Sequence, residues 1–214
     1  MNVTIIGSGN MGRGIGTRAV AGGHSVTFVD RNPEVAEKAA NDVKALAKNG
    51  AKVSTAPLGD PQLGDVVVLA VGYGPNIELA KQLGDKLAGK VVVEIANPLN
   101  ATLDEMVTAP DSSSAEDVAK AIVKGAKVVK AFNTTLAGTL HSGQVAGQPL
   151  DVFIAGDDAD AKAKVAQLVT DGGMRAVDSG PLRRARQIEA MQFLHIALQG
   201  ELGTNWGSAL KILS

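Results

Sequence analysis

The sequence predicts an α/β protein, a doubly wound, mostly parallel sheet with a small C-terminal α/β extension that ends in a long helix. Three observations carry this expectation. Short β-branched runs alternate with helix-like stretches through the first two thirds of the chain, the pattern of parallel strands joined by crossover helices. One run, Val66–Val71, is apolar at every position, as a strand covered on both faces must be. Five glycines fall between Gly7 and Gly16, directly behind the first run. Glycine costs ordered backbone more entropy than alanine, so this density needs an offset, such as a ligand that touches the main chain.

The elements follow in order. Val3–Ile6 reads as the first strand, and Asn10 to Ala21 as a helix stopped by Gly22-Gly23. Ser25–Val29 is the second strand. Pro33, suited to a first helical turn, opens a helix reaching about Lys48. Ala51–Ser54 is a short third strand and Val66–Val71 the fourth. A helix near Pro75–Leu87 leads to a fifth strand, Val91–Ile95. "SSAE" (Ser113 to Glu116) has capping-box spacing for a helix ending around Gly125, before a sixth strand at Lys127–Ala131. Val152–Ala155 and Arg175–Val177 are short strands flanking a helix that starts near Asp157. From Pro181 a long helix runs to about Gly200. Its Leu182, Ala185, Ile188, Met191, Leu194 and Leu198 follow helical spacing, so one face should be buried.

Composition narrows the function. The chain has 214 residues, 45% hydrophobic and 20% charged, which suits an ordinary globular domain with a substantial core. It has no cysteine, which excludes disulfides, thiol nucleophiles and thiolate-held metals. A net charge of -1 argues against a nucleic-acid binder relying on bulk charge. No apolar run approaches the ~20 residues that span a bilayer. The first strand begins near residue 2, which leaves no room for a signal peptide. A cytoplasmic protein with a small-molecule partner is expected.

Gly7, Gly9 and Gly12 fit G-x-G-x-x-G, placed after a strand and at the start of a helix. In that context the glycines serve a tight turn, close approach to a pyrophosphate and close helix–strand packing, the Rossmann fingerprint. Amides at the helix start, with the positive end of its dipole, would hold the phosphates. Gly14 and Gly16 lie inside the helix and suit close packing. Asp30 lies 18 residues beyond Gly12, near the usual ~20 for an acid that binds the adenosine ribose. That favours NAD. Arg31 follows at once, and a guanidinium there grips a 2′-phosphate; if Asp30 turns away, Arg31 and Asn32 make an NADP site. The expected organisation is a dinucleotide-binding unit over residues 1–148 and a substrate-capping segment over 149–214. The boundary near Gln148-Pro149 is soft, and the tail could instead extend the first sheet.

Several phrases occur together in matching order: "GSGNMG" (Gly7 to Gly12), "DRNP", "EIANPLN" (Glu94 to Asn100), "VVKAFNT" (Val128 to Thr134), "AGDD" (Ala155 to Asp158) and "DSGPLRRAR" (Asp178 to Arg186). Over nearly its whole length the chain resembles the coenzyme-F420-dependent NADP oxidoreductases, which reduce a deazaflavin with NADPH. The resemblance implies hydride transfer between NADP(H) and a deazaflavin, coenzyme F420, or a similar flavin-like acceptor. It places Ser8, Asn10 and Met11 by the pyrophosphate, Arg31 by the 2′-phosphate, and Ala70, Val71, Gly72 and Tyr73 along the adenosine side. Asn97 and Pro98 fall beside the nicotinamide ribose, and Phe132, Asn133 and Thr134 near the ring. Two positions depart from the family pattern. Asp30 stands where a small residue is common, and Gly72 where a proline is common.

Such chemistry needs orientation rather than an acid–base pair, and no catalytic side chain is expected. His24 reads as a turn residue and His195 as a core or interface histidine; His141, in a loop, is a weak candidate for touching the acceptor. Asp157, Asp158 and Asp160 read as helix-start capping acids. Arg183, Arg184 and Arg186 either receive the phosphate or carboxylates of a deazaflavin tail or coat the surface. The last helix and Trp206 either pack on the sheet or form a homodimer. The alternatives in function are a nucleotide-binding redox sensor without turnover and a reductase of a small imine or keto acid.

Overall fold

The β-branched runs pair side by side into one sheet, with the first of them in its interior. In the computed structural model, which describes residues 1–59, 62–122 and 125–213, β1 (Asn2–Ile6) lies between β2 (Ser25–Asp30) and β4 (Val66–Leu69). Outside β2 lies β3 (Val53–Pro57); outside β4 come β5 (Val91–Glu94) and β6 (Lys127–Lys130). All these pairings are parallel. The sheet then continues through β9 (Asp151–Gly156), antiparallel to β6, and β10 (Arg175–Asp178), parallel to β9. A two-stranded ribbon, β7 (Gln144–Val145) and β8 (Gln148–Pro149), stands apart.

Alternation along each strand sends successive side chains to opposite faces. Ile5, Val66, Val68, Val91 and Val93 join one core with α1 (Asn10–Ala21), α2 (Pro33–Lys44), α5 (Ala137–Leu140) and α6 (Ala159–Asp171). Ile6, Val67, Leu69 and Val92 join the other with α3 (Tyr73–Leu83) and α4 (Ser114–Ala121). Each fully buried valine or leucine contributes about 1.5–3 kcal/mol, which explains why strands of four residues hold. The chain finishes with α7 (Ala185–Ala197), α8 (Gln199–Leu202) and a return segment. No helix among the described residues is long and apolar enough to cross a membrane.

Four expected boundaries move. α2 stops at Lys44, short of Lys48, and the chain turns through left-handed Asn49 and Gly50. β3 is Val53–Pro57 rather than Ala51–Ser54, because its register on β2 pairs Val26 with Val53 and Asp30 with Pro57. α3 starts two residues before Pro75, which sits in its first turn, and its end tightens into a 3₁₀ turn at Gly84–Leu87. α4 is capped by Ser113, whose side chain accepts from the Glu116 amide, and ends at Ala121; residues 123 and 124, on the way to Gly125, lie outside the described residues.

The long final helix is also corrected. It begins as a 3₁₀ turn at Leu182–Arg184, continues as α7 and breaks before α8. Leu182, Ala185 and Ile188 are buried, but Leu194 is 61% exposed and Leu198 40%. In the second half the inward face is polar: Glu189, Gln192, His195 and Gln199 are buried. A stripe of leucines could not show this, because those polar groups find partners only in the folded chain.

The return segment is clasped to the start of β9. The buried Asp151 carboxylate accepts from Arg175, from Lys211 Nζ at 3.0 Å and from the Ile212 amide at 2.9 Å. Burial alone would raise its pKa, but the bonds from Arg175, Ile212 and Lys211 outweigh that and lower it to about 2. A carboxyl depressed on folding adds stability above its unfolded pKa of about 4, and that stability is lost as pH falls toward about 2. In urea melts, Asp151→Asn should cost about 1–3 kcal/mol near neutral pH. The gap from the wild type should narrow below about pH 4 and close near pH 2. A gap independent of pH would contradict the clasp.

Candidate active site

The glycine loop shows why each position is glycine. Gly7 has φ +100°, and a Cβ there would lie 2.5 Å from the Ala70 carbonyl oxygen. A Cβ on Gly12 would overlap the Gly7 carbonyl, so β1 and α1 could not close. Around Gly9 nothing lies within 4 Å of a built Cβ. That open space lies over the α1 N-terminus, where Gly9 caps without a side chain and no acid occupies the first turn. The free amides of Asn10, Met11 and Gly12 and the helix dipole then suit a phosphate. Gly14 and Gly16 are packing positions, against Leu140 and Phe28.

Asp30 is turned toward this loop. Its carboxylate accepts from the Ser8 amide at 2.8 Å and the Asn32 amide at 3.0 Å. Ser8 is buried, with its hydroxyl directed at the Val29 carbonyl, so it braces the loop from below. Asn32 caps α2 by accepting from the Glu34 amide. Arg31 is exposed, and among the described residues no hydrogen bond or ion pair holds its side chain. With Gly7, Gly9, Asp30, Ala70 and Val71 it lines a cleft of about 410 Å³. Leu58, Pro75, Glu78, Leu79 and Gln82 complete the lining; apart from Pro75, expected only as a helix start, nothing but position on α3 or after β3 marks them in the sequence. Tyr73 instead donates to Asp117 at 2.8 Å, and burial followed by that bond pushes its hydroxyl up to about 12.

A second cavity, of about 500 Å³, adjoins the first at Ala70. Its floor is Asn10, Met11, Gly72, Ile95, Ala96, Asn97 and Asn133, its side Thr135–Gly138, and its roof Gln192, Ile196 and Trp206. Asn97 and Asn133 interlock: the Asn97 amide donates to the Asn133 carbonyl, and the Asn133 amide to Asn97 Oδ1, each at 3.0 Å. Asn133 Oδ1 is buried without a partner. Phe132, at φ +62°, is sunk in the core, a left-handed conformation that costs a bulky residue energy and turns the chain so that Asn133 reaches the cavity. Thr134 is buried behind it and Pro98 lies beneath Asn97 in sequence, its carbonyl taking the Val107 amide. No charged side chain lines this cavity among the described residues.

Beneath the floor sits a charged cluster that the sequence reading missed. Lys130, Glu94 and Glu189 are all buried. Lys130 Nζ lies 2.8 Å from each carboxylate, 2.9 Å from Ser114 Oγ and within bonding distance of the Ala96 carbonyl. Ser114 donates its amide to Glu189, and its hydroxyl lies 2.7 Å from both acids. Asn76 and the Ala96 amide donate to the remaining Glu94 oxygen, at 2.9 and 2.8 Å. One cation therefore serves two carboxylates because neutral donors complete the shell. The cluster ties β5, β6, α4 and α7 together directly below Ala96 and Asn97. The strand glutamate and lysine were its only sequence signal.

None of the other candidates lines the second cavity. His24 is buried near the chain's amino group and Asp171. His141 is exposed, and its carbonyl takes Arg18. His195 is buried between Gln192 and Ser208, and desolvation lowers its pKa. Asp158 caps α6 and Asp157 accepts the Leu182 amide. Arg186 pairs with Glu116, while Arg183 and Arg184 start the upward helix near Asp157, beside the beginning of β6. None of the three arginines lines the second cavity.

Two substitutions separate folding from binding. Gly12→Ala should lower stability by about 2–4 kcal/mol. Gly9→Ala should leave the melting curve unchanged yet weaken NADPH binding at least about tenfold, read by calorimetry. Lys130→Met strands two buried acids and should cost about 3–5 kcal/mol; a melt within 1 kcal/mol of wild type would show that the cluster is not held as described.

The comparisons with known proteins agree with this geometry. Residues 2–98 match the pattern of a family described as NADP oxidoreductase coenzyme F420-dependent. An F420-dependent NADP reductase of Methanocaldococcus jannaschii is 33% identical over 92% of each chain. A crystal structure of a candidate F420-dependent NADP reductase from Arthrobacter superposes over 99% of both chains, with a TM-score of 0.84 at 29% identity. Metalloreductase STEAP3 of the rat is 33% identical over 88% of this chain, which spans 36% of that protein. Identity over 92% of the chain, fold and glycine loop thus converge, and the chain belongs to the F420-dependent NADP reductase family.

Proposed function

We propose that the protein moves a hydride between NADP(H) and a deazaflavin such as coenzyme F420, or a similar flat acceptor. The observation that carries this reading is the pair of adjoining clefts that meet at Ala70 over the bare N-terminus of α1. The first suits adenosine, with Arg31 at its rim; the amides of Asn10 to Gly12 suit the pyrophosphate; the second suits nicotinamide and acceptor stacked together. Asn133 Oδ1, buried and unpaired, is an acceptor for the carboxamide N–H of a nicotinamide. The residues present fit the nucleotide.

When bound, the two ring systems supply the electronics: a hydride passes from NADPH to the acceptor, which takes one proton from solvent. The chain orients them. Met11 and the interlocked Asn97–Asn133 pair form the floor, and Gln192, Ile196 and Trp206 the roof that excludes water. An uncharged cavity suits a step with no acid–base partner of its own. In functional terms residues 1–148 hold the nucleotide and 149–214 cap the acceptor. The exposed Leu194, Leu198 and Leu202 are the surface a homodimer would cover.

NADP rather than NAD is supported by Asp30, whose oxygens already hold the Ser8 and Asn32 amides, leaving Arg31 for a 2′-phosphate. Arg31→Ala should weaken NADPH by about 1.5–3 kcal/mol and leave NADH unchanged. Asp30→Ala should weaken both. Equal losses in the arginine variant would remove the preference. Tight NADPH binding without oxidation across deazaflavins and flavins would make the chain a nucleotide sensor instead.

A further inference from the structure

The charges in the cluster beneath the second cavity do not cancel. Glu94, Glu189 and Lys130 are at most 1% exposed, and two carboxylates set against one ammonium leave one negative charge. Their other partners among the described residues, Ser114, Asn76 and the Ala96 main chain, are neutral. The start of α4 faces Glu189 through the Ser114 amide and offsets about half a charge at most, so the sum stays negative. One residue separates the cluster from the cavity. Ala96 gives its carbonyl to Lys130 and its amide to Glu94, and it lines the cavity. Gln192, about one helical turn beyond Glu189, lines it as well. Since no charged side chain lines the cavity among the described residues, no nearer group cancels the field. Buried charge is also poorly screened by solvent and salt. The field reaches a neighbour of the cavity: after burial and the Asp117 bond, Glu189 and then Glu94 help to push the Tyr73 hydroxyl up to about 12, next to the lining residue Gly72.

We propose that the surplus negative charge of Glu94, Lys130 and Glu189 makes the site favour the oxidised nicotinamide, whose ring is a cation, over the reduced one, which is neutral. This rests on the reading of the second cavity as the nicotinamide site and deepens it. A site that holds NADP⁺ more tightly makes the bound couple a stronger reductant than it would otherwise be. The cluster therefore eases the departure of a hydride from NADPH without touching either ring. It acts through Ala96 as a positioned charge, and no proton needs to move.

NADP⁺ and NADPH share adenosine, phosphates and riboses, so the ratio of their dissociation constants isolates the charge on the ring. Calorimetric titrations of the wild type and of Glu189→Gln give that ratio without turnover. The glutamine keeps an acceptor for the Ser114 amide, leaves Glu94 to Lys130 and removes the surplus charge. The ratio should move about three- to tenfold in favour of NADPH. The shift should persist in about 0.5 M NaCl, because salt screens buried charge little. Ser114→Ala removes the hydroxyl that lies between the two acids but leaves the charge, so it should loosen the fold and not the ratio. A shift as large as that of Glu189→Gln would assign the effect to structure and overturn the proposal. Gly138 lines the cavity, and nothing lies within 4 Å of a Cβ built on it. Gly138→Lys therefore sets a cation in the cavity itself, and should move the ratio in the same direction. A shift with Gly138→Lys but none with Glu189→Gln overturns the proposal and leaves the nicotinamide reading standing; no shift with either removes that reading too. Should Glu189→Gln fail to fold, Glu94→Gln makes the same change of charge from β5, and the same outcomes apply.

Discussion

Main chain pressed on main chain is the constraint from which the rest of this molecule follows. The turn after β1 sits against the Ala70 carbonyl after β4, and α1 sits against the turn itself, at Gly12. Neither approach leaves room for a side chain. The same closeness brings the α1 N-terminus over the carboxyl ends of the central strands, where ligands of open α/β sheets bind. Asp30 then fixes the loop from β2 through the Ser8 amide. A charge that could have served the ligand serves the scaffold, and the neighbouring arginine is left to face outward.

A second constraint lies a layer below. Strands β5 and β6 end in Glu94 and Lys130, and both side chains are fully buried. Alone, either would be costly; with Glu189, Ser114 and Asn76 around them, each charge has directed partners. Removing one partner of such a group is more damaging than the group's net contribution would suggest. Geometric specificity is what it supplies here. It sets α7 at a fixed height over Ala96 and Asn97, and thereby sets the roof over the floor.

Much of this was legible beforehand. The strand–glycine–helix start, the apolar run at Val66, the capping acids and serines and the alternation of elements all rest on local chemistry, and local chemistry is written in order along the chain. Boundaries moved where register or a left-handed turn decided them, as at β3 and after α2. The inward face of α7 was illegible for a different reason. Glu189 looks like a surface residue until Ser114 and Lys130, far away in sequence, come to meet it, and Gln192 until it is buried beside His195, so a leucine stripe at the right spacing ends on the outside. For Arg183 and Arg184 the sequence left two readings open, because position along a helix says nothing about which end points at a site. Leu58 and Leu79 were missed because a cleft wall needs only bulk, and bulk carries no motif.

One reversed strand decides where the polypeptide finishes. Had β9 run with its neighbour β6, the helix that follows β10 would descend, and the last residues would emerge at the pole remote from the glycine turn. Because β9 and β10 point the other way, α7 climbs, and Lys211 and Ile212, after α8, come to rest beside the Asp151 carboxylate at the upper rim. The direction of a single strand thus decides that Gln192, Ile196 and Trp206 stand over the same edge of the sheet as the glycine turn.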